Sequence, residues 1–195
     1  MSNATEERRA RRDIARWSSR LWKRRLVTGT SGNVSVKLAD GTILVTPAGR
    51  SLATLDEKAV VRVSASGEPL ARGQRPSSEL PLHLAAYAAR ADVRCVVHTH
   101  PTFCVVWSRR AGLFPQDTVG ARETLGPVAW TPYRAPGSAD LAAVCAGAFA
   151  AGHDTVLMER HGLSAVGQTL EAAFDLTDLA EEAARIGYFG DLAGR

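Results

Sequence analysis

Cysteine is scarce: Cys95, Cys104 and Cys145 are the three in 195 residues, an odd number without a Cys-x-x-Cys pair. That excludes a disulfide framework or a cysteine-built metal knot, and their apolar neighbours predict buried free thiols in a reducing compartment. Long apolar runs are missing too; none reaches the about 18 residues a membrane helix needs, so no membrane partner is expected. The segment Met1 to Arg25 is rich in Arg and Glu and lacks the apolar stretch and cleavage site of a secretory signal, which predicts a cytoplasmic protein. No Gly-x-Gly-x-x-Gly opens a helix after the first strand, which argues against a doubly wound nucleotide fold. Repeats and low-complexity linkers are absent as well. With 45% hydrophobic residues, the chain reads as one domain over 1–195.

A net charge of +4 and a pI near 9.3 raise the question of nucleic acid. The basic residues concentrate in Arg8 to Arg25, where helical spacing makes them a solvated face, and no recognition module accompanies them. Nucleic acid is not an expected partner; an anionic metabolite suits the charge better.

Ile14, Trp17, Leu21 and Trp22 recur at helical spacing and predict an amphipathic helix over Thr5 to Lys23. Val34 to Leu38 alternates, Asp40-Gly41 is a tight turn, and Thr42 to Thr46 returns as the partner strand. Further strands are expected at Val60 to Val63, Arg94 to Thr99, Val128 to Pro132, Thr155 to Met158 and Leu163 to Val166. Helices fit Leu80 to Arg90, with Leu82, Ala85, Ala86 and Ala89 inward, Ser138 to Ala151, and Leu170 to Ile186. Hairpins interrupted by helices predict an α/β layered domain with a mainly antiparallel or mixed sheet.

His98 and His100 flank Thr99 at the end of an apolar run, and residues two apart in a strand share a face. Alone they could be two polar side chains at a strand end. His161, just past a second apolar strand and followed by Gly162, supplies a third imidazole where the backbone can approach closely. Three neutral imidazoles with an open position are the donor set of catalytic zinc, although another divalent ion could be held. His83 and His153 read as non-ligands. Glu79 stands between a small-residue loop and a helix start; it is either a dipole-compensating group or, beside a metal, an acid/base. Ser31-Gly32-Asn33, Gly49 and Ser77-Ser78 offer hydroxyls and unobstructed peptides that could cradle phosphate, though each is also ordinary turn chemistry.

Thr30-Ser31-Gly32-Asn33-Val34-Ser35, Thr46-Pro47-Ala48-Gly49, Pro76-Ser77-Ser78-Glu79, His98-Thr99-His100-Pro101 and His161-Gly162-Leu163 together resemble the class II aldolase/adducin family, nearest to its L-fuculose-1-phosphate aldolase branch. The order and spacing of the five segments match from about residue 10 to residue 188. The resemblance implies a three-layer αβα sandwich, a homotetramer with active sites at subunit boundaries, and a small phosphorylated sugar as substrate. Carried over by position, it implies zinc on His98, His100 and His161, acid/base chemistry at Glu79, and phosphate at Gly32, Asn33, Gly49, Ser77 and Ser78.

The chain departs from that pattern in places. Ala48 stands where the aldolases have Thr, Phe114 to Thr118 lacks the neighbouring-subunit Tyr, and the sequence ends at Arg195 without a longer tail bearing another Tyr. Asp117 lies about where the related 4-epimerases place an Asp, and it is a candidate polar group for a second subunit's site; those epimerases, however, prefer Asp at the Glu79 position. The resemblance thus implies a metal-dependent aldehyde-lyase, an aldolase cleaving a ketose 1-phosphate of the fuculose or ribulose type to glycerone phosphate and an aldehyde. Alternatives are a dehydratase of the methylthioribulose-1-phosphate type, a 4-epimerase, a decarboxylase of related hydroxy acids, and an adducin-like module without catalysis.

Overall fold

A computed structural model describes residues 3–194. The first helix, α1 (Asn3–Lys23), carries Ile14, Trp17 and Leu21 inward as its periodicity predicts. Trp22 is the exception: it is 47% exposed, one position off the buried stripe. The predicted hairpin forms from β1 (Asn33–Lys37) and β2 (Ile43–Val45), paired antiparallel with Lys37 opposite Ile43. Gly41 takes the positive φ of 84° that its turn requires. Then come β3 (Val61–Val63), α2 (Leu80–Ala89), β4 (Cys95–Thr99), α3 (Thr102–Trp107), β5 (Val128–Thr131), α4 (Ala139–Ala150), β6 (Thr155–Met158), β7 (Gly162–Gly167) and α5 (Leu170–Ala193).

The strands make one sheet of seven in the order β3-β2-β1-β4-β7-β6-β5, antiparallel throughout except for the parallel pair β5–β6. Alternation along each strand sends side chains to two faces. Val34, Leu44, Cys95 and Val97 pack against α1 and α5, and Leu157 and Leu163 against α3 and α5. Val45, Val96, Val156 and Val166 pack against α2 and α4 on the opposite face. The result is the expected three-layer αβα sandwich with a mainly antiparallel, mixed sheet. Cys95, Cys104 and Cys145 are buried free thiols, as expected, and among the described residues no helix is long and apolar enough to cross a membrane.

Three details differ from the sequence reading. The helix α3 and a π-helical turn at Ala121–Leu125 were not expected. On α2 the inward residues are Leu80, Leu82, His83, Ala86 and Tyr87, while Ala85 is only half-buried. The last helix runs beyond Ile186 to Ala193.

Candidate metal centre

The ends of β4 and β7 meet on the α2/α4 side of the sheet, where His98 is opposite Ser164 and Asn33 of β1 is opposite His98. His98 is completely buried. Its Nδ1 lies 3.2 Å from the Leu163 carbonyl and 3.0 Å from Ser164 Oγ. A carbonyl can only accept, so the proton sits on Nδ1 and the Nε2 lone pair points outward. That atom is 2.9 Å from His100 Nε2. His161 closes the triangle from the turn joining β6 to β7, held by the hydrogen bond from its N–H to the Met158 carbonyl, while Arg160 takes a left-handed φ of 54°. Ring centroids are 4.8, 4.9 and 5.1 Å apart, and one ligand atom from each imidazole lies within 4.8 Å of the others.

Gly162 makes this convergence possible. A Cβ there would stand 2.2 Å from the Thr99 carbonyl oxygen and 2.8 Å from the His100 ring, so no other residue lets β7 start so close to the end of β4.

Burial holds the imidazoles neutral. The basicity of His98 is driven well below its ordinary value by desolvation and then by the neighbouring rings; that of His100 is lowered by desolvation, and that of His161 falls to about 4, again mainly by desolvation. Neutral rings with converging lone pairs fit a divalent ion. Two buried atoms reinforce the fit, because Glu79 Oε2 and His161 Nδ1 have no hydrogen-bond partner among the described residues. Histidine nitrogens in a half-open set with no sulfur suit zinc in a catalytic rather than a structural role.

Glu79 caps α2, 7% exposed, with its own N–H donating to Ser77 Oγ at 3.2 Å. Burial raises its pKa, opposed by the Gly137 N–H that faces it. The loop carrying Gly137 lies hard against this turn: a Cβ on Gly137 would meet the Ser78 carbonyl at 2.8 Å.

A cleft of about 210 Å³ collects the remaining candidates, with Gly32, Asn33, Gly49, Ser77 and Ser78 on its wall beside Glu79, His100 and His161. The segments after β2 and before α2 run side by side, bonded by Ser77 N–H to the Thr46 carbonyl and Ala48 N–H to the Arg75 carbonyl. Gly32 and Gly49 have φ of 77° and 69°. Among the described residues, no hydrogen bond takes up the N–H of Gly32, Gly49 or Ser78, all of which border the cleft. Asp117, by contrast, is exposed in the segment between α3 and β5 and does not line the cleft of its own chain. His153 bonds the Pro127 carbonyl on the surface, away from the triad. His83 is no member of the triad either, yet it is fully buried and touches Asn33, a contact that no local spacing reveals.

Comparison with known proteins agrees with this geometry. The family model described as Class II Aldolase and Adducin N-terminal domain matches residues 12–188. The 3-oxo-tetronate 4-phosphate decarboxylase of Pectobacterium atrosepticum is 33% identical over 190 residues, spanning 95% of this chain and 86% of that protein. The L-fuculose phosphate aldolase of Methanococcus vannielii is 31% identical over 168 residues, 86% of this chain and 90% of that one. Among solved structures, YgbL from Escherichia coli superposes with a TM-score of 0.85 at 31% identity, covering 94% of this chain and 90% of that one.

Proposed function

The chain belongs to the class II aldolase and adducin family, and on that premise we propose that it releases glycerone phosphate by breaking a carbon–carbon bond, foremost by decarboxylating a 3-oxo-tetronate 4-phosphate. It is a metal-dependent enzyme of this superfamily, a lyase, and the chain acts as one such domain in the cytoplasm.

One observation carries the choice of reaction: among the described residues of this chain, Glu79 is the one carboxylate on the cleft wall, and none of them is a tyrosine lining it. Decarboxylation of a 3-oxo acid asks for a single proton. The C1–C2 bond breaks, carbon dioxide leaves, the electron pair stays on C2, and Glu79 delivers its proton to that carbon to give glycerone phosphate. A carboxyl whose pKa burial has raised is suited to carry that proton. A divalent ion, zinc by its donor set, held by His98, His100 and His161, would offset the negative charge that gathers on the ketone oxygen. The free N–H groups of Gly32, Gly49 and Ser78, with Ser77 and the Asn33 amide, would hold the phosphate and so orient the reacting carbon.

Aldol cleavage of a ketose 1-phosphate is the second reading, supported by likeness to the Methanococcus vannielii aldolase. It leaves the same three-carbon product but needs a further group to take the proton of the C4 hydroxyl. Asp117 of a neighbouring copy is the candidate. Exposed Val106, Ile186, Phe189 and Leu192 give α3 and α5 an apolar outer face suited to packing against another copy, as a homotetramer requires.

Purified protein should contain a stoichiometric divalent ion, lose activity to a chelator and regain it with zinc. Offered a 3-oxo-tetronate 4-phosphate and a panel of ketose 1-phosphates, it should release carbon dioxide and glycerone phosphate from the former. Aldehyde release from a ketose 1-phosphate alone would promote the second reading, and glycerone phosphate from neither overturns both.

A further inference from the structure

Asn33 and Ser35 lie two apart on β1 and face α2, on which His83 and Tyr87 lie four apart and face back. Their polar atoms form one buried line. Asn33 Oδ1 is 2.5 Å from His83 Nε2, His83 Nδ1 is 2.6 Å from Ser35 Oγ, and Ser35 Oγ is 2.7 Å from the Tyr87 hydroxyl. His83 and Ser35 are wholly buried. Beyond Tyr87, the one further acceptor among the described residues is the Arg94 carbonyl, 3.5 Å from the hydroxyl.

We infer that His83 is a positioning residue, which, as the Nε2–H tautomer, holds the Asn33 side-chain oxygen inward and so aims the Asn33 amide N–H groups into the cleft. This rests on the proposed reading of that cleft as the site of a phosphorylated substrate and deepens it.

The line can run in two directions. With the ring proton on Nε2, His83 donates to Asn33, Ser35 donates to Nδ1, and Tyr87 donates to Ser35, so every proton occupies a contact of 2.7 Å or less. In the reverse direction a flipped Asn33 amide donates to Nε2, Nδ1–H donates to Ser35, and Ser35 donates to Tyr87. The Tyr87 proton is then left with the Arg94 carbonyl at 3.5 Å, too long for a sound O–H···O bond. The first direction satisfies each buried group; the second strands a phenol.

A doubly protonated ring, which would donate both ways, is ruled out because burial lowers the His83 pKa to about 3. The outcome is chemically directional. Among the described residues no hydrogen bond takes up Asn33 Nδ2, and Asn33 stands on the cleft wall. Asn33 is therefore set to give hydrogen bonds, as an anion demands, rather than to take them.

The test uses the metal-loaded protein and glycerone phosphate as probe. In wild-type protein, ¹⁵N NMR of the His83 ring should find the proton on Nε2; a proton on Nδ1 overturns the inference without any variant. Asn33→Ala should weaken glycerone phosphate binding roughly tenfold, the scale of one hydrogen bond to a charged group. His83→Leu should weaken it by a similar factor, raising KM more than it lowers kcat, with metal content unchanged. His83→Gln, which keeps an N–H for Asn33, should bind within about twofold of wild type. If Asn33→Ala weakens binding and His83→Leu does not, positioning by His83 is wrong while the phosphate site stands. If Asn33→Ala binds as wild type, the phosphate site itself fails, and this inference with it.

Discussion

Strand β1 looks two ways. Val34 and Val36 face α1 and α5, where Ile14, Trp17, Leu21 and Phe174 bury only hydrocarbon and rings. Asn33 and Ser35, equally hidden from water, face α2 and end in hydrogen bonds. Hydrophobic contact is non-directional and roughly proportional to area, so the first face can absorb small changes of shape. A buried polar line has no such slack, since one missing atom leaves a neighbour unsatisfied. Every group of the candidate site lies on the second side: His98 shares its face with Val96, and Glu79 starts α2. Both faces of the sheet bury an apolar cluster, but the chemistry is confined to one of them.

That division can be broken by experiment. Glu79→Gln should cut turnover by a factor on the order of a hundred or more while metal content and melting temperature stay as they were. A fully active variant ends the assignment. Gly162→Ala, at the seam where β4 and β7 bring the imidazoles together, drives a Cβ against the Thr99 carbonyl and the His100 ring; affinity for zinc, measured by chelator competition, should fall about 10–100-fold. Ile14→Val on the apolar side should lower unfolding free energy by about 1 kcal/mol and leave kcat per folded molecule untouched. A kcat loss in that variant would erase the distinction between the faces.

A further effect, of a different kind, is one of pH. In the folded protein the His83 pKa is lowered from 6.5 to about 3 by burial, so the unfolded chain binds more protons between those values. Stability from this group is complete above pH 6.5 and declines as pH falls toward 3. Urea midpoints of metal-free His83→Gln should accordingly drop less between about pH 7 and pH 5 than those of wild type; equal slopes would deny His83 its buried, neutral state.

The sequence made legible whatever was written in local period or in a close-spaced motif. The branched run of β4, the turn at Gly41 and the stripe of Ile14, Trp17 and Leu21 all follow from spacing. His98, His100 and Gly162 could be read because strand ends and a side-chain-free residue carry geometry with them. The helix α2 could not be oriented this way. Leu82 to Ala89 is apolar nearly all round, so no period selects a face. What decides it is the partner beneath, Asn33 and Ser35 some fifty positions earlier, with |i−j| of 50 and 48 to His83. Helix α3 escaped notice because it has six residues, begins after Pro101 without a capping side chain, and is held from outside by Glu181, whose carboxylate accepts from the Phe103 and Cys104 N–H groups.

The pairing of β4 with β7 joins the first four strands of the chain to the last three. Two imidazoles come from the first group and one from the turn that enters β7. A cation seated among them would be a rivet across the two halves of the sheet, grasped only after both have assembled. Its uptake then reports completed folding, and its departure loosens the central join of the molecule, so ion supply would govern how long the protein endures as well as whether it turns over.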